Sequence, residues 1–160
     1  MNQTEQLNEF LSVLNSFAEK TGINKFQNTT ELDSILTSTE VDRGGWTETE
    51  LHNKSFTLFS YSAYLKRCEN QQVIKLKWAQ SNIRVLYGKE CQKYDRFSYV
   101  EKQDAAIADQ ESIKALHSII MNAETRIAQL QDIAGYVSKM AYSLTEMGKS
   151  RRADKYERNA

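Results

Sequence analysis

Ten apolar residues, Ile113, Leu116, Ile120, Ala123, Ile127, Leu130, Ala134, Val137, Ala141 and Leu144, follow one another at alternating steps of three and four. A row held to that rhythm for about four and a half heptads fits a long α-helix with one apolar seam, because a strand alternates at every second residue. The 160 residues include no proline, so no position strips an N–H from such a helix. Alanines 123, 134 and 141 let a neighbouring helix come close, while Ile119, Met121, Ile133 and Met140 widen the apolar face beyond the needs of two strands. Gly148 reads as the helix stop.

A second long helix starts at Thr47, which forms a Ser/Thr-x-x-Glu capping box with Glu50. From there Leu58, Tyr61, Leu65, Cys68, Gln72, Leu76, Ala79, Ile83 and Leu86 step by three or four. Phe56, Ala63, Ile74, Trp78 and Val85 form another stripe about half a turn away, so two faces ask for burial. A monomer rarely supplies both. Ahead of this helix, Leu7, Phe10, Leu11, Leu14 and Phe17 place one stripe on a short helix ending near Gly22. Residues 23–46 read as irregular, with a turn or two of helix at Thr30–Leu36 opened by Thr30 and Asp33.

The expected fold is therefore all-α: a short amino-terminal helix, then two long helices forming an antiparallel hairpin, with more than two helices meeting at the seam. The expected parts are an acidic segment 1–46, a basic helix 47–88, a connector 89–104, a heptad helix 105–147 and a basic tail 148–160.

Composition narrows the function classes. With 40% hydrophobic and 26% charged residues and six glycines, collagen-like and low-complexity chains are excluded. No charged start runs into an apolar stretch and no stretch approaches about 18 apolar residues, so neither a signal peptide nor a membrane span is expected. Cys68 and Cys91 fall in one helix, about 35 Å apart at 1.5 Å per residue, which forbids pairing within the chain. A reduced, cytoplasmic protein is expected. His52 and His117 have no metal-ligand partners at suitable spacing, and the phosphate-loop, nucleophile-elbow and H-E-x-x-H patterns are absent. The reading is a non-enzyme with no metal and no cofactor.

Net charge is zero, with 21 Lys+Arg against 21 Asp+Glu, yet its distribution is uneven. Residues 1–50 hold three cations and nine carboxylates, for minus six, whereas residues 51–102 hold ten cations and four carboxylates, for plus six. On a helical wheel Lys66, Lys77 and Arg84 share one stripe roughly 27 Å long, with Lys75, Lys89 and Lys93 on a flank. Tyr87, Tyr94, Arg96, Phe97 and Tyr99 then interleave rings with charge. Cations that follow a backbone and rings that stack on bases are what single-stranded nucleic acid requires. The competing reading packs Tyr94, Phe97 and Tyr99 into the connector and leaves the lysines merely solvated. A helical regulator of duplex DNA ranks last, because no short recognition helix follows a tight turn.

The run Tyr61-Ser62-Ala63-Tyr64-Leu65-Lys66, the basic helix continuing to Lys89, the connector, and Ile107-Ala108-Asp109-Gln110-Glu111-Ser112-Ile113-Lys114 opening a heptad helix together resemble the UvsY recombination mediators of large tailed phages. The likeness covers about residues 50 to 148. It implies a non-enzymatic ring of six or seven subunits that binds single-stranded DNA. Such a ring helps a RecA-like recombinase displace the single-strand DNA-binding protein. The family's Lys-x-Arg contact falls, by ungapped register, on Tyr87 and Lys89, so one cation of the pair is retained. The family assembles through its carboxy-terminal helix, which would assign Ile113, Leu116, Ile120, Ile127, Leu130, Val137 and Leu144 to oligomerisation. The alternative function is a structural coiled-coil scaffold or oligomeric adaptor that binds no nucleic acid.

Overall fold

The computed structural model describes residues 3–20, 29–94 and 98–158. All regular elements among these are helical: α1 (Gln3–Lys20), α2 (Thr29–Leu36), α3 (Glu40–Gly45), α4 (Glu48–Glu90), a single 3-10 turn at Cys91–Lys93, α5 (Tyr99–Asp109) and α6 (Glu111–Arg158). The all-α class and the two long helices packed on each other agree with the sequence reading. The chain divides into two compact units, one combining Met1–Thr21 with Cys68–Gln129 and the other Gly22–Arg67 with Leu130–Ala160.

In the second unit α4 and α6 run antiparallel on a seven-residue repeat. Leu51, Leu58 and Leu65 from α4 meet Ala134, Val137, Ala141 and Leu144 from α6, and Leu32 and Ile35 of α2 close the same core. The small residues have a specific use. Ser55 donates to the Ala141 carbonyl at 2.9 Å and lies 2.7 Å from Thr145 Oγ1. One heptad on, Ser62 donates to the Ala134 carbonyl at 3.2 Å and lies 2.7 Å from Ser138 Oγ. A side chain can reach a backbone carbonyl of the partner helix only where alanine leaves the approach open, so the expectation of close packing at Ala134 and Ala141 is met.

In the first unit Ala79 and Ile83 of α4 pack with Ala106 of α5 and with Ile113 and Leu116 of α6. The amino-terminal helix also belongs here, with Phe10 stacked on Trp78 at 5.4 Å and 13° between ring planes.

Several boundaries differ from the sequence reading. The connector 89–104 contains a full helix, α5, started by a capping box in which Ser98 accepts from the Glu101 N–H and Glu101 accepts from the Ser98 N–H. It ends at Gln110, whose extended backbone separates α5 from α6, so the heptad helix begins at Glu111 rather than at 105. The helix also passes Gly148 and continues to Arg158. Gly148 is a point of close approach, not a stop: a Cβ there would lie 3.2 Å from the His52 ring. Residues 29–45 hold two helices, and the box forms at Thr39 and Asp42 rather than at Thr30, which lies inside α2. The expected helix end near Gly22 lies outside the described residues.

Four of the seven seam residues assigned to oligomerisation are covered within the chain. Ile113, Leu116, Val137 and Leu144 are at most 2% exposed in a single chain, and Ile120, Ile127 and Leu130 are half-buried. Heptad spacing reports burial of a helix face without specifying which helix covers it; here the covering helices are the chain's own. Of the second stripe on α4, Phe56, Ile74 and Val85 stay exposed, while Trp78 is half-buried beside Phe10.

Candidate nucleic-acid interface

The first unit contains a groove of about 810 Å3 beside α4, with α5 as its other wall. Lys77 and Arg84, two turns apart, stand on α4 with Tyr87 and Gly88, and Tyr99 and Gln103 face them from α5. Seven residues is nearly two whole turns, so the two cations project from one side of the helix about 10 Å apart along its axis. Both are exposed, and neither has a salt-bridge partner among the described residues. A Cβ at Gly88 would meet nothing within 4 Å, which leaves the groove mouth open there.

Tyr99 enters the groove because the Ser98–Glu101 box fixes the start of α5 immediately before it. The Tyr94 hydroxyl donates to Asp109 Oδ2 at 2.5 Å, tying the end of α5 back to the connector. Gln110 donates to Glu90 Oε2 at 3.3 Å and joins the start of α6 to the end of α4. The arrangement presents two cations without a salt-bridge partner among the described residues, two phenol rings and two amides, Gln80 and Gln103, around one opening. Its chemistry suits a polyanion carrying flat rings.

Of the sequence-derived site residues, the groove gathers Lys77, Arg84 and Tyr87. Lys66 belongs to the other unit. Lys75 lines a separate opening on another side of α4. Lys89 is exposed and outside the groove lining, and Lys93 is paired with Glu90 at 2.5 Å. Tyr94 serves the connector, as the competing reading held for that residue, while Arg96 and Phe97 lie outside the described residues. Tyr99, the last ring of the run that interleaves rings with charge, joins Lys77, Arg84 and Tyr87 in the groove, together with Gln80, Ser81 and Gln103, which no sequence pattern marks. The signal for the helical setting of Tyr99 was available: it follows Ser98, and Ser98-x-x-Glu101 is a capping box that places a helix where the connector was expected.

The basic tail is largely engaged by protein. Arg151 donates to the Gly44 and Arg43 carbonyls at 2.7 and 3.2 Å, closing the end of α3; Arg152 pairs with Glu48 at 3.1 Å and Lys149 with Glu146 at 2.7 Å. Among the described residues no group of three or more His, Cys, Asp or Glu is placed to hold a metal ion, and no helix is long and apolar enough to cross a membrane.

Fold and groove together define a helical protein with a basic, aromatic-lined opening. No protein-family model, curated protein or solved structure matches this chain.

Proposed function

We propose that this chain is a single-stranded-DNA-binding recombination mediator, which helps a RecA-like recombinase load onto DNA coated by single-strand DNA-binding protein. The observation that carries the binding part is the groove: Lys77 and Arg84, without a salt-bridge partner among the described residues, on one wall, with Tyr87 beside them and Tyr99 opposite. Cations spaced along a helix follow phosphates, and the exposed Tyr99 ring accepts a base that a duplex keeps stacked inside, while Tyr87 is half-buried against the core. The mediator part rests on the resemblance of residues 50 to 148 to the UvsY family.

In this reading the action is physical. Several copies of a weak site, held in a ring of six or seven subunits, engage one strand by avidity and loosen its competitor. Assembly then draws on faces left uncovered in the single chain, such as Phe56 in one unit and Ile74 and Val85 in the other, since much of the heptad seam is covered within the chain.

The test is fluorescence anisotropy with labelled single-stranded and duplex oligonucleotides of one sequence, with assembly mass measured on the same sample. Preferential binding of the single strand by a multi-subunit particle is the expected result. An oligomer indifferent to either DNA at low salt overturns the proposal in favour of a scaffold.

A further inference from the structure

We propose that the first unit carries a second strand-binding groove, between α4 and α6, which takes the phosphate backbone of a further stretch of single-stranded nucleic acid; the inference rests on the single-strand reading above. The groove measures about 350 Å3. Gln72 and Lys75 of α4 face Ser118, Asn122 and Arg126 of α6 across an apolar floor that includes Ala123. Lys75 and Lys77 are two residues apart, hence about 200° apart around the helix. One helix therefore offers cations to two openings on different flanks.

The chemistry of this lining is one-sided. Lys75, Arg126, Gln72 and Asn122 supply hydrogen-bond donors, the Ser118 hydroxyl already donates to the Lys114 carbonyl at 3.0 Å, and no carboxylate lines the opening. Neither Lys75 nor Arg126 has a salt-bridge partner among the described residues. Such a set selects an anion with several acceptor oxygens, which charge-assisted bonds from lysine and guanidinium hold best.

The neighbouring aromatic pair favours a nucleic acid over an acidic peptide. Trp78 lies one turn beyond Lys75 and already holds a parallel ring, Phe10 of α1, at 5.4 Å. Leu11, next to Phe10, borders the groove itself. Phe10 occupies that face, so a base of a strand held between Lys75 and Arg126 would stack on Trp78 only in its place. A polyglutamate segment satisfies the cations and offers nothing to the indole.

The experiment counts strands per chain. A thymidine oligonucleotide about five nucleotides long, near the short end of what one stacking platform covers, is titrated by equilibrium dialysis against the full-length protein. Wild type is expected to bind two per chain, and Lys75→Ala/Arg126→Ala one. Lys77→Ala/Arg84→Ala is also expected to bind one, and the fourfold variant none. Lys75→Gln/Arg126→Gln, which keeps the bulk of both side chains, is held to the same loss as its alanine counterpart. One strand per wild-type chain, lost only in Lys77→Ala/Arg84→Ala, overturns the second groove and leaves the first. One strand lost only in Lys75→Ala/Arg126→Ala overturns the first and keeps the second. Capture of a polyglutamate peptide at Lys75 and Arg126, with no oligonucleotide bound there, also overturns the inference.

Discussion

Glu50 accepts from both the backbone N–H and the hydroxyl of Thr47, at 2.7 and 2.8 Å, at the start of a 43-residue helix. These bonds favour the charged carboxylate, the backbone one foremost, and hold its pKa below the ordinary value. Glu101 is lowered first by the Ser98 N–H, and Asp42 first by the Thr39 hydroxyl. A folded pKa below the unfolded one gives stability that is present above the unfolded value and is lost as the pH falls through the folded one. Acidification below about pH 4 should therefore loosen the starts of α3, α4 and α5. In carbon-detected NMR the Glu50 and Glu101 side chains should titrate at lower pH than in an unfolded peptide; midpoints at the peptide value would remove the caps from the account. Glycine sites give a second test. Gly135 lies inside α6 with no atom within 4 Å of where a Cβ would sit, so Gly135→Ala should stabilise the protein by about 0.5–1 kcal/mol in denaturant unfolding. Gly148→Ala should gain less, because the new methyl meets the His52 ring.

At the scale of elements, the pairing of α4 with α6 in the Gly22–Arg67 and Leu130–Ala160 unit depends on small residues as much as on leucines. Ala141 is fully buried and its carbonyl receives the Ser55 hydroxyl. Ala141→Leu should destabilise by about 1–3 kcal/mol through overpacking, as measured by chemical denaturation. A neutral result would mean that the helices are not in close contact there. The same elements show what was legible in the sequence. Apolar spacing located both long helices and the seam from Ile113 to Leu144, because burial of one helix face is a local, periodic signal. The identity of the covering helix was not legible, since a repeat satisfied by α4 reads the same as one satisfied by another chain. The role of Gly148 depends on His52, far away in sequence, and so could not be read from its neighbours. The groove's two cations, Lys77 and Arg84, stand out by wheel position and Tyr99 by its place in the ring-and-charge run, whereas Gln103 enters only through the fold of α5.

For the whole molecule, a net charge of zero conceals a division of labour. The cations of the tail at 149, 151 and 152 are tied to carbonyls and carboxylates, while Lys75, Lys77, Arg84 and Arg126 of the Cys68–Gln129 segment have no salt-bridge partner among the described residues. Charge left unpaired is charge available to a polyanion. The intrachain use of the seam also changes what a seam mutation does. Leu130 packs against the core of its own unit, so Leu130→Asp should lower helicity and melting temperature together with any change in assembly mass. A variant that loses assembly while keeping wild-type circular dichroism and melting would return the seam to the subunit interface.

The most direct measurement of the central claim is the salt dependence of single-strand binding by wild type and by Lys77→Ala/Arg84→Ala. Each phosphate neutralised on a single strand contributes about 0.7 to the slope of log affinity against log salt, so losing two contacts should reduce the slope by roughly 1.4 while the assembly mass stays unchanged. Equal slopes for the two proteins would contradict the assignment of this groove to nucleic acid.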